Sequence, residues 1–295
     1  MLGWMVATAL AFAGPSEVLR SQGADEVAFT RVDGAAPLWL SERMSAERAH
    51  QLWQHLDASP EAAHLVPVIL AADPDDAEHL AKLPVAEVRA DLQALSSKDG
   101  AGVLSERREQ FREKWDRIRA SYPVDSDPPT DARRAFDAVA SLRPDRASSD
   151  APRFLVRDRA RREQLKSGKG ASRRQRAKQL AALDEAHRVV VVEGVPSHTV
   201  PVHLQLGGWN ENPAWSDHAR LLDLWGQTYG ARLLFWSGTD AEFAVSRPPQ
   251  TLAATRELAW QHYLYCPDRL EGGPEGAAEW MAGLSGGAFW WCWWD

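Results

Sequence analysis

Phe289-Trp290-Trp291-Cys292-Trp293-Trp294 carries the strongest structural signal in this chain of 295 residues. Five of its six residues are aromatic, and no charged side chain interrupts the run. A β-strand without apolar–polar alternation is usually buried on both faces. Each buried aromatic side chain contributes on the order of 2 kcal/mol by the apolar area it removes from water. The run therefore predicts a closing strand that is buried on both faces and on which folding depends.

The hundred residues before this run predict strands that alternate with helices. Valine-rich and alternating stretches indicate strands, and apolar residues at helical spacing indicate helices. Ser216 or Asp217 is expected to cap one helix, and Gly230 to end it in the left-handed conformation. The predicted strands are 188–193, 199–206, 231–237, 241–246 and 288–294. The predicted helices are 217–229, 251–265 and 275–284.

This order predicts a ferredoxin-like β-α-β-β-α-β sandwich, in which an antiparallel sheet carries helices on one face. The fold class is therefore α+β, with a smaller α/β N-terminal region and a helical basic insertion. We divide the chain into an N-terminal segment (1–36), an α/β region (37–120), a linker with the basic insertion (121–188) and the tryptophan-rich C-terminal domain (189–295).

The α/β region begins with a helix that Ser45 is expected to cap. Its apolar stripe is Ala49, Leu52, Trp53 and Leu56. Residues 64–71 then predict a buried strand, and residues 105–119 predict a charged helix. The proline-rich stretch that follows is expected to hold one short helix, 131–142.

The N-terminal residues 1–14 are apolar but too short to span a bilayer, so no membrane partner is expected. Residues 1–13 resemble a secretory signal, yet the first basic residue is Arg20. The chain also has only two cysteines, Cys266 and Cys292, which fits a reducing compartment. We therefore expect a cytoplasmic protein, with export through residues 1–13 as the alternative.

The basic insertion concentrates positive charge. Residues 153–178 hold eleven Lys and Arg against two acidic residues, a charge of +9, which leaves −16 for the rest of a chain whose net charge is −7. Such a block is usually a solvated helical face. The alternative is that it binds nucleic acid or another polyanion. The candidate arginines are Arg161, Arg162, Arg173, Arg174 and Arg176.

Several short motifs together resemble a known bacterial family, domain of unknown function 4253. They are Pro201-Val202-His203-Leu204, Gly207-Gly208-Trp209-Asn210 with Pro213, Arg247-Pro248-Pro249, Tyr265-Cys266-Pro267-Asp268 and Trp293-Trp294-Asp295. The resemblance covers about 190–295, with a weaker similarity in 37–75. It implies no activity, cofactor or partner, because the family is uncharacterised.

Candidate catalytic and binding groups must therefore be identified from individual residues. The metalloprotease motif HExxH, the P-loop and GxGxxG are absent. The strand and helix ends of the C-terminal domain could bring polar residues to one rim, where His203, Asp268 and Asp295 would act as acid–base groups. Trp209, Asn210, Gln205 and Cys266 would line a binding pocket there. Cys266 could pair with His262 or His203 as a nucleophile, although its place on an apolar helix stripe is typical of a core thiol.

No complete catalytic or metal-binding motif is visible, so we expect no cofactor and no metal. The alternative metal site would join His203 with Asp268 or Asp295. The sequence favours a non-enzymatic protein-interaction module, regulatory or immunity-like, whose partner is another protein. One alternative is a small-molecule-binding protein or hydrolase-type enzyme that uses the His/Asn/Asp rim. The other is polyanion binding through residues 153–178, with nucleic acid the less favoured partner.

Overall fold

The structure is a computed structural model that describes residues 14–21, 27–71, 80, 82–121, 151–167, 172–268 and 283–295. Its centre is one mixed sheet of seven strands. The strands are β1 (Phe29–Val32), β2 (Leu38–Ser41), β3 (Leu65–Ala71), β4 (His187–Glu193), β5 (Ala231–Trp236), β6 (Asp240–Val245) and β7 (Phe289–Trp293).

Nine α-helices lie within the described ranges. They are α1 (Pro15–Ser21), α2 (Ala46–Ala58), α3 (Val85–Ala94), α4 (Gly100–Ser121), α5 (Arg153–Ser167), α6 (Arg173–Asp184), α7 (Val200–His203), α8 (Trp215–Tyr229) and α9 (Leu252–Tyr265). Mixed helices and strands in these proportions agree with the predicted α+β class.

The strand order is β1-β2-β4-β3-β5-β6-β7. All neighbouring pairs are antiparallel except β3 and β5, which run parallel. Segments 37–120 and 189–295, which the sequence analysis separates, thus contribute strands to a single sheet. The division into four segments stays a prediction.

The central strands are buried on both faces because helices cover both sides of the sheet. In β4, Val190 and Val192 face one core, with α4, α7, α8 and α9, while Val189 and Val191 face the other, with α1, α2 and α5. A continuous valine run is the pattern that such a strand requires.

The predicted ferredoxin-like arrangement is wrong in three respects. β3, from early in the chain, lies between β4 and β5 and so separates two strands that were expected to belong to one local unit. Helices cover both faces of the sheet rather than one. The stretch 199–206 is not a strand but a 3₁₀ turn followed by α7, in which residues 199–204 are all buried. Its alternating valines and leucines suggested a strand, but Pro201 stands in the first turn of α7, where its missing N–H costs no hydrogen bond.

The aromatic strand β7 confirms the predicted burial on both faces. Trp290 and Cys292 belong to the core of α8 and α9, and Trp291, on the opposite face, is also buried. β7 is nevertheless an edge strand, since it pairs only with β6 among the strands described. β7 is short, and α5 packs across its Trp291 side: the guanidinium of Arg153 lies 3.5 Å from the Trp291 ring centroid.

Local signals set most helix boundaries as predicted. Ser45 caps α2 by accepting from the Arg48 N–H, and Gly230 ends α8 with φ 64°. α8 begins two residues earlier than expected, so Ala214, not Ser216 or Asp217, is its N-cap. The predicted helices 131–142 and most of 275–284, together with residues 1–13, lie outside the described residues.

Candidate functional site

The predicted polar rim forms in part. The Asn210 side-chain N–H₂ donates to the carbonyl of Asp295 at 3.2 Å, and the Asp295 backbone N–H donates to the Asp268 carboxylate at 2.9 Å. A turn residue, a helix end and the chain end thus meet beside β7. Asn210 and Asp295 are exposed, and Asp268 is partly so. The structure therefore brings together Asn210, Asp268 and Asp295.

The remaining rim candidates are placed differently. His203 is buried in α7 with only 6% of its surface exposed, and burial lowers its pKa. Within the described residues, its Nδ1 and the buried Nε2 of Gln205 find no hydrogen-bond partner. Trp209 is partly buried and packs against the core of α8 and α9. Within the described residues, none of these three side chains hydrogen-bonds to Asn210, Asp268 or Asp295, so the acid–base and metal roles of His203 stay predictions.

Behind the rim lies a buried polar network that the sequence analysis missed. Burial lowers the pKa of His218 to about 3, so its imidazole is neutral. The Tyr265 hydroxyl then donates to His218 Nδ1 at 2.5 Å, and Nε2–H donates to the Asn212 side-chain oxygen at 2.8 Å. Gly207 packs against this ring: a Cβ there would stand 2.4 Å from Nε2, and φ is 99°. The glycine turn is therefore fixed by the histidine beneath it.

A second buried cluster contains both cysteines. His262, Cys266 and Cys292 are each fully buried. One ring nitrogen of His262 and the two sulfur atoms all lie within 4.8 Å of one another. His262 Nδ1 stands 3.5 Å from Cys292 Sγ, while Cys266 Sγ donates to the His262 carbonyl at 3.2 Å. The expected pairing of Cys266 with a histidine ring is thus only indirect, since Cys292 makes the closer ring contact.

The basic helix α5 is anchored by a buried carboxylate. Glu242 of β6 accepts the backbone N–H groups of Arg153 and Phe154 at 2.7 and 2.6 Å. The Phe154 ring stacks on Phe235 at 4.7 Å, and Arg157 pairs with Asp240 at 2.9 Å. The first turn of α5 is therefore fixed to the sheet.

Beyond this turn the described arginines of the basic insertion lie fully or partly at the surface. Arg162 is committed to a structural ion pair, because it binds the carboxylates of both Asp158 and Asp184. Arg161, Arg173 and Arg174 are exposed and Arg176 is partly exposed. No residue of α6 is buried, although Ser172 caps it by accepting from the Gln175 N–H.

The sequence did not predict three members of these buried clusters as site residues: Glu242, His218 and Cys292. Glu242 had a usable signal, since it is one acidic residue in the apolar strand stretch Ala241 to Val245. The His262–Cys266 spacing of four residues also places both on one helix face. Only the packing of β7 over α9 reveals that Cys292 completes the group.

Comparison with known proteins agrees with the resemblance seen in the sequence. Residues 188–295 match the model of the family described as Domain of unknown function (DUF4253). No curated protein and no solved structure matches the chain. In the part of the chain that the structure describes, no helix is both long and apolar enough to cross a membrane.

Proposed function

We propose that this protein acts by binding, and that its α5–α6 pair docks onto an acidic surface of a partner protein. The observation that carries this proposal is α6 itself: a capped helix that buries none of its side chains and carries Arg173, Arg174, Arg176 and Lys178 in its first six residues. A helix that buries no face within its own chain gains little stability from packing there, and contact with another molecule would supply it.

The charge distribution within α6 supports an anionic partner. Its first turn holds basic residues and no acidic one. Positive charges near a helix N-terminus oppose the macrodipole, at a cost of roughly 0.3–1 kcal/mol for an exposed group. In α5 the same conflict is relieved within the chain, because Glu242 reaches the first backbone N–H groups. A carboxylate from a partner would do the same for α6.

A compact acidic protein surface fits better than a long nucleic acid. The block of +9 stands on a remainder of −16, so an extended polyanion would meet repulsion beyond the two helices. The described part of α6 also offers no aromatic side chain on which bases would stack.

Charge reversal tests the proposal. The measurement is binding of the full chain to a polyglutamate peptide and to duplex DNA across a salt series. Wild type is compared with R173E/R174E and with the control R89E/R112E. The control makes the same net-charge change at exposed arginines of α3 and α4. We expect R173E/R174E to weaken polyglutamate binding at least ~10-fold, since two charge contacts are reversed, and the control to change it little.

Absence of polyglutamate binding at low salt, or equal losses in both variants, would show the proposal to be wrong. Tighter binding to DNA than to polyglutamate, lost in R173E/R174E, would instead identify the insertion as a nucleic-acid-binding element.

A further inference from the structure

We propose that His262, Cys266 and Cys292 form a binding site for one zinc ion. The inference is independent of the proposed partner binding, because the cluster lies in the core under β7 and the basic helices do not reach it. The only two cysteines of a chain of 295 residues are 26 positions apart in the sequence and come together here beside one histidine. Both are thiols rather than a disulfide.

The donor atoms are of the type and at the spacing that zinc requires. Thiolate sulfur and imidazole nitrogen are the usual zinc ligands in proteins, at about 2.3 and 2.0 Å from the metal. Tetrahedral angles then place a nitrogen and a sulfur ~3.6 Å apart. His262 Nδ1 and Cys292 Sγ are already 3.5 Å apart, and no pair in the group exceeds 4.8 Å. Binding requires the group to close by only about one ångström.

The electrostatics of the cluster favour a divalent ion. His262 is fully buried and supplies an imidazole nitrogen, which binds zinc as a neutral ligand. With two thiolates, a Zn²⁺ centre carries no net charge, whereas a Cu⁺ centre would leave one negative charge in the core. Because an uncompensated buried charge is strongly unfavourable, the neutral combination is preferred.

Neighbouring side chains orient the ligands. The His262 ring stacks on Trp225 at 4.6 Å and meets Trp290 edge-on at 5.1 Å, which fixes its plane. The Cys266 thiol is held at the His262 carbonyl. Surroundings that restrict ligand orientation are typical of metal sites.

The position of Cys292 gives the ion a route into the core. His262 and Cys266 lie at the end of α9, whereas Cys292 lies on the edge strand β7, which pairs only with β6 among the described strands. An ion could therefore bind as β7 closes over α9, and its binding energy would add to the stability of the folded chain.

Cobalt substitution tests the site directly. The full chain is purified under reducing conditions, stripped of metal with a chelator and titrated with Co²⁺ and then Zn²⁺. We expect a thiolate-to-cobalt charge-transfer band that saturates near one equivalent, is displaced by Zn²⁺ and is accompanied by a higher melting temperature. C292S should bind less than ~0.1 equivalent, because it removes a thiolate donor. W293F, which alters the opposite face of β7 and keeps every donor, should bind as wild type does.

Several results would overturn the assignment: no charge-transfer band in wild type, binding retained in C292S, or an equal loss in W293F. Thiols can also be titrated in protein that is purified without a reductant and then unfolded. If no reactive cysteine is found, the two cysteines form a disulfide in place of the metal site. Stoichiometric binding of Cu⁺ without Zn²⁺ would overturn the choice of ion. If C292S fails to fold, the wild-type cobalt spectrum and its zinc displacement decide the matter alone.

Discussion

Glu242 is a carboxyl group buried in β6, and its two oxygens accept the first backbone N–H groups of α5. Burial raises its pKa to about 7, although the two N–H groups and Arg157 oppose the rise. The folded protein thus binds this proton more tightly than the unfolded chain does. Stability contributed by Glu242 is present in full below its ordinary pKa of 4.5 and is lost as the pH rises toward 7.

The variant E242Q should lose this pH dependence. Between pH 4.5 and 7, the difference in unfolding free energy between wild type and E242Q should fall on the order of 1 kcal/mol per pH unit, then level off. Urea unfolding at half-unit pH steps measures it. E47Q, an exposed carboxyl on α2 that pairs with Arg159, is the control. Parallel curves for wild type and E242Q would contradict the shifted pKa.

At the scale of the elements, β7 concentrates buried aromatic area on an edge strand. Trp294, directly after β7, is fully buried, donates to the Tyr265 carbonyl at 3.0 Å and lies among Tyr265, Trp236 and His218. Trp293, on the other face, is only partly buried. Adjacent residues of one type therefore differ mainly in burial.

Alanine at these two positions separates the contribution of the core from that of the strand itself. W294A should lower the unfolding free energy by about 3–5 kcal/mol, because it leaves a large cavity and an unpaired carbonyl. W293A should cost clearly less. Denaturant unfolding of both variants makes the comparison, and equal losses would mean that Trp294 is not part of the core. Deletion of residues 288–295 should unfold the protein altogether.

The elements themselves were largely predictable from the sequence, whereas their arrangement was not. Helical spacing with the cap at Ser45 predicted α2, and the pattern of apolar residues predicted α9 and the strands β5 and β6, because these signals are local. The insertion of β3 between β4 and β5 depends on pairing across more than a hundred residues, which no local pattern encodes. Alternation at 199–206 was misleading, since a short helix buried all round shows the same apolar content as a strand.

The candidate sites divide in the same way. Asn210, Asp268 and Asp295 could be grouped from the sequence because each follows the end of an element, and such ends meet at the rim of a sheet. Cys292 could not be assigned to His262, because the side to which β7 turns each residue depends on its register with β6. Within a run of aromatic residues, nothing in the sequence distinguishes the two faces.

For the whole molecule, the buried histidines should dominate the response to acid. Burial lowers the pKa of His187 to about 4 and those of His218 and His262 to about 3. The unfolded chain, with histidine near 6.5, therefore binds more protons than the folded one below that pH. Stability from these residues is present in full above pH 6.5 and is lost as the pH falls toward 4. As the pH falls, the three histidines lower the stability of the folded state while Glu242 raises it. Because the histidines outnumber Glu242, the protein should be acid-labile.

H187F tests this balance, because His187 lies beside the stacked rings of Phe154 and Phe235, at 5.7 and 6.0 Å, in aromatic surroundings that suit a phenyl ring. Between pH 6.5 and 4, wild type should lose on the order of 1 kcal/mol per pH unit more than H187F does. Melting temperatures across this range, with H55Q on the exposed face of α2 as the control, measure the difference. If H187F and wild type lose stability in parallel, protonation of His187 does not contribute to acid unfolding, and the charge of the remaining core histidines must account for it alone.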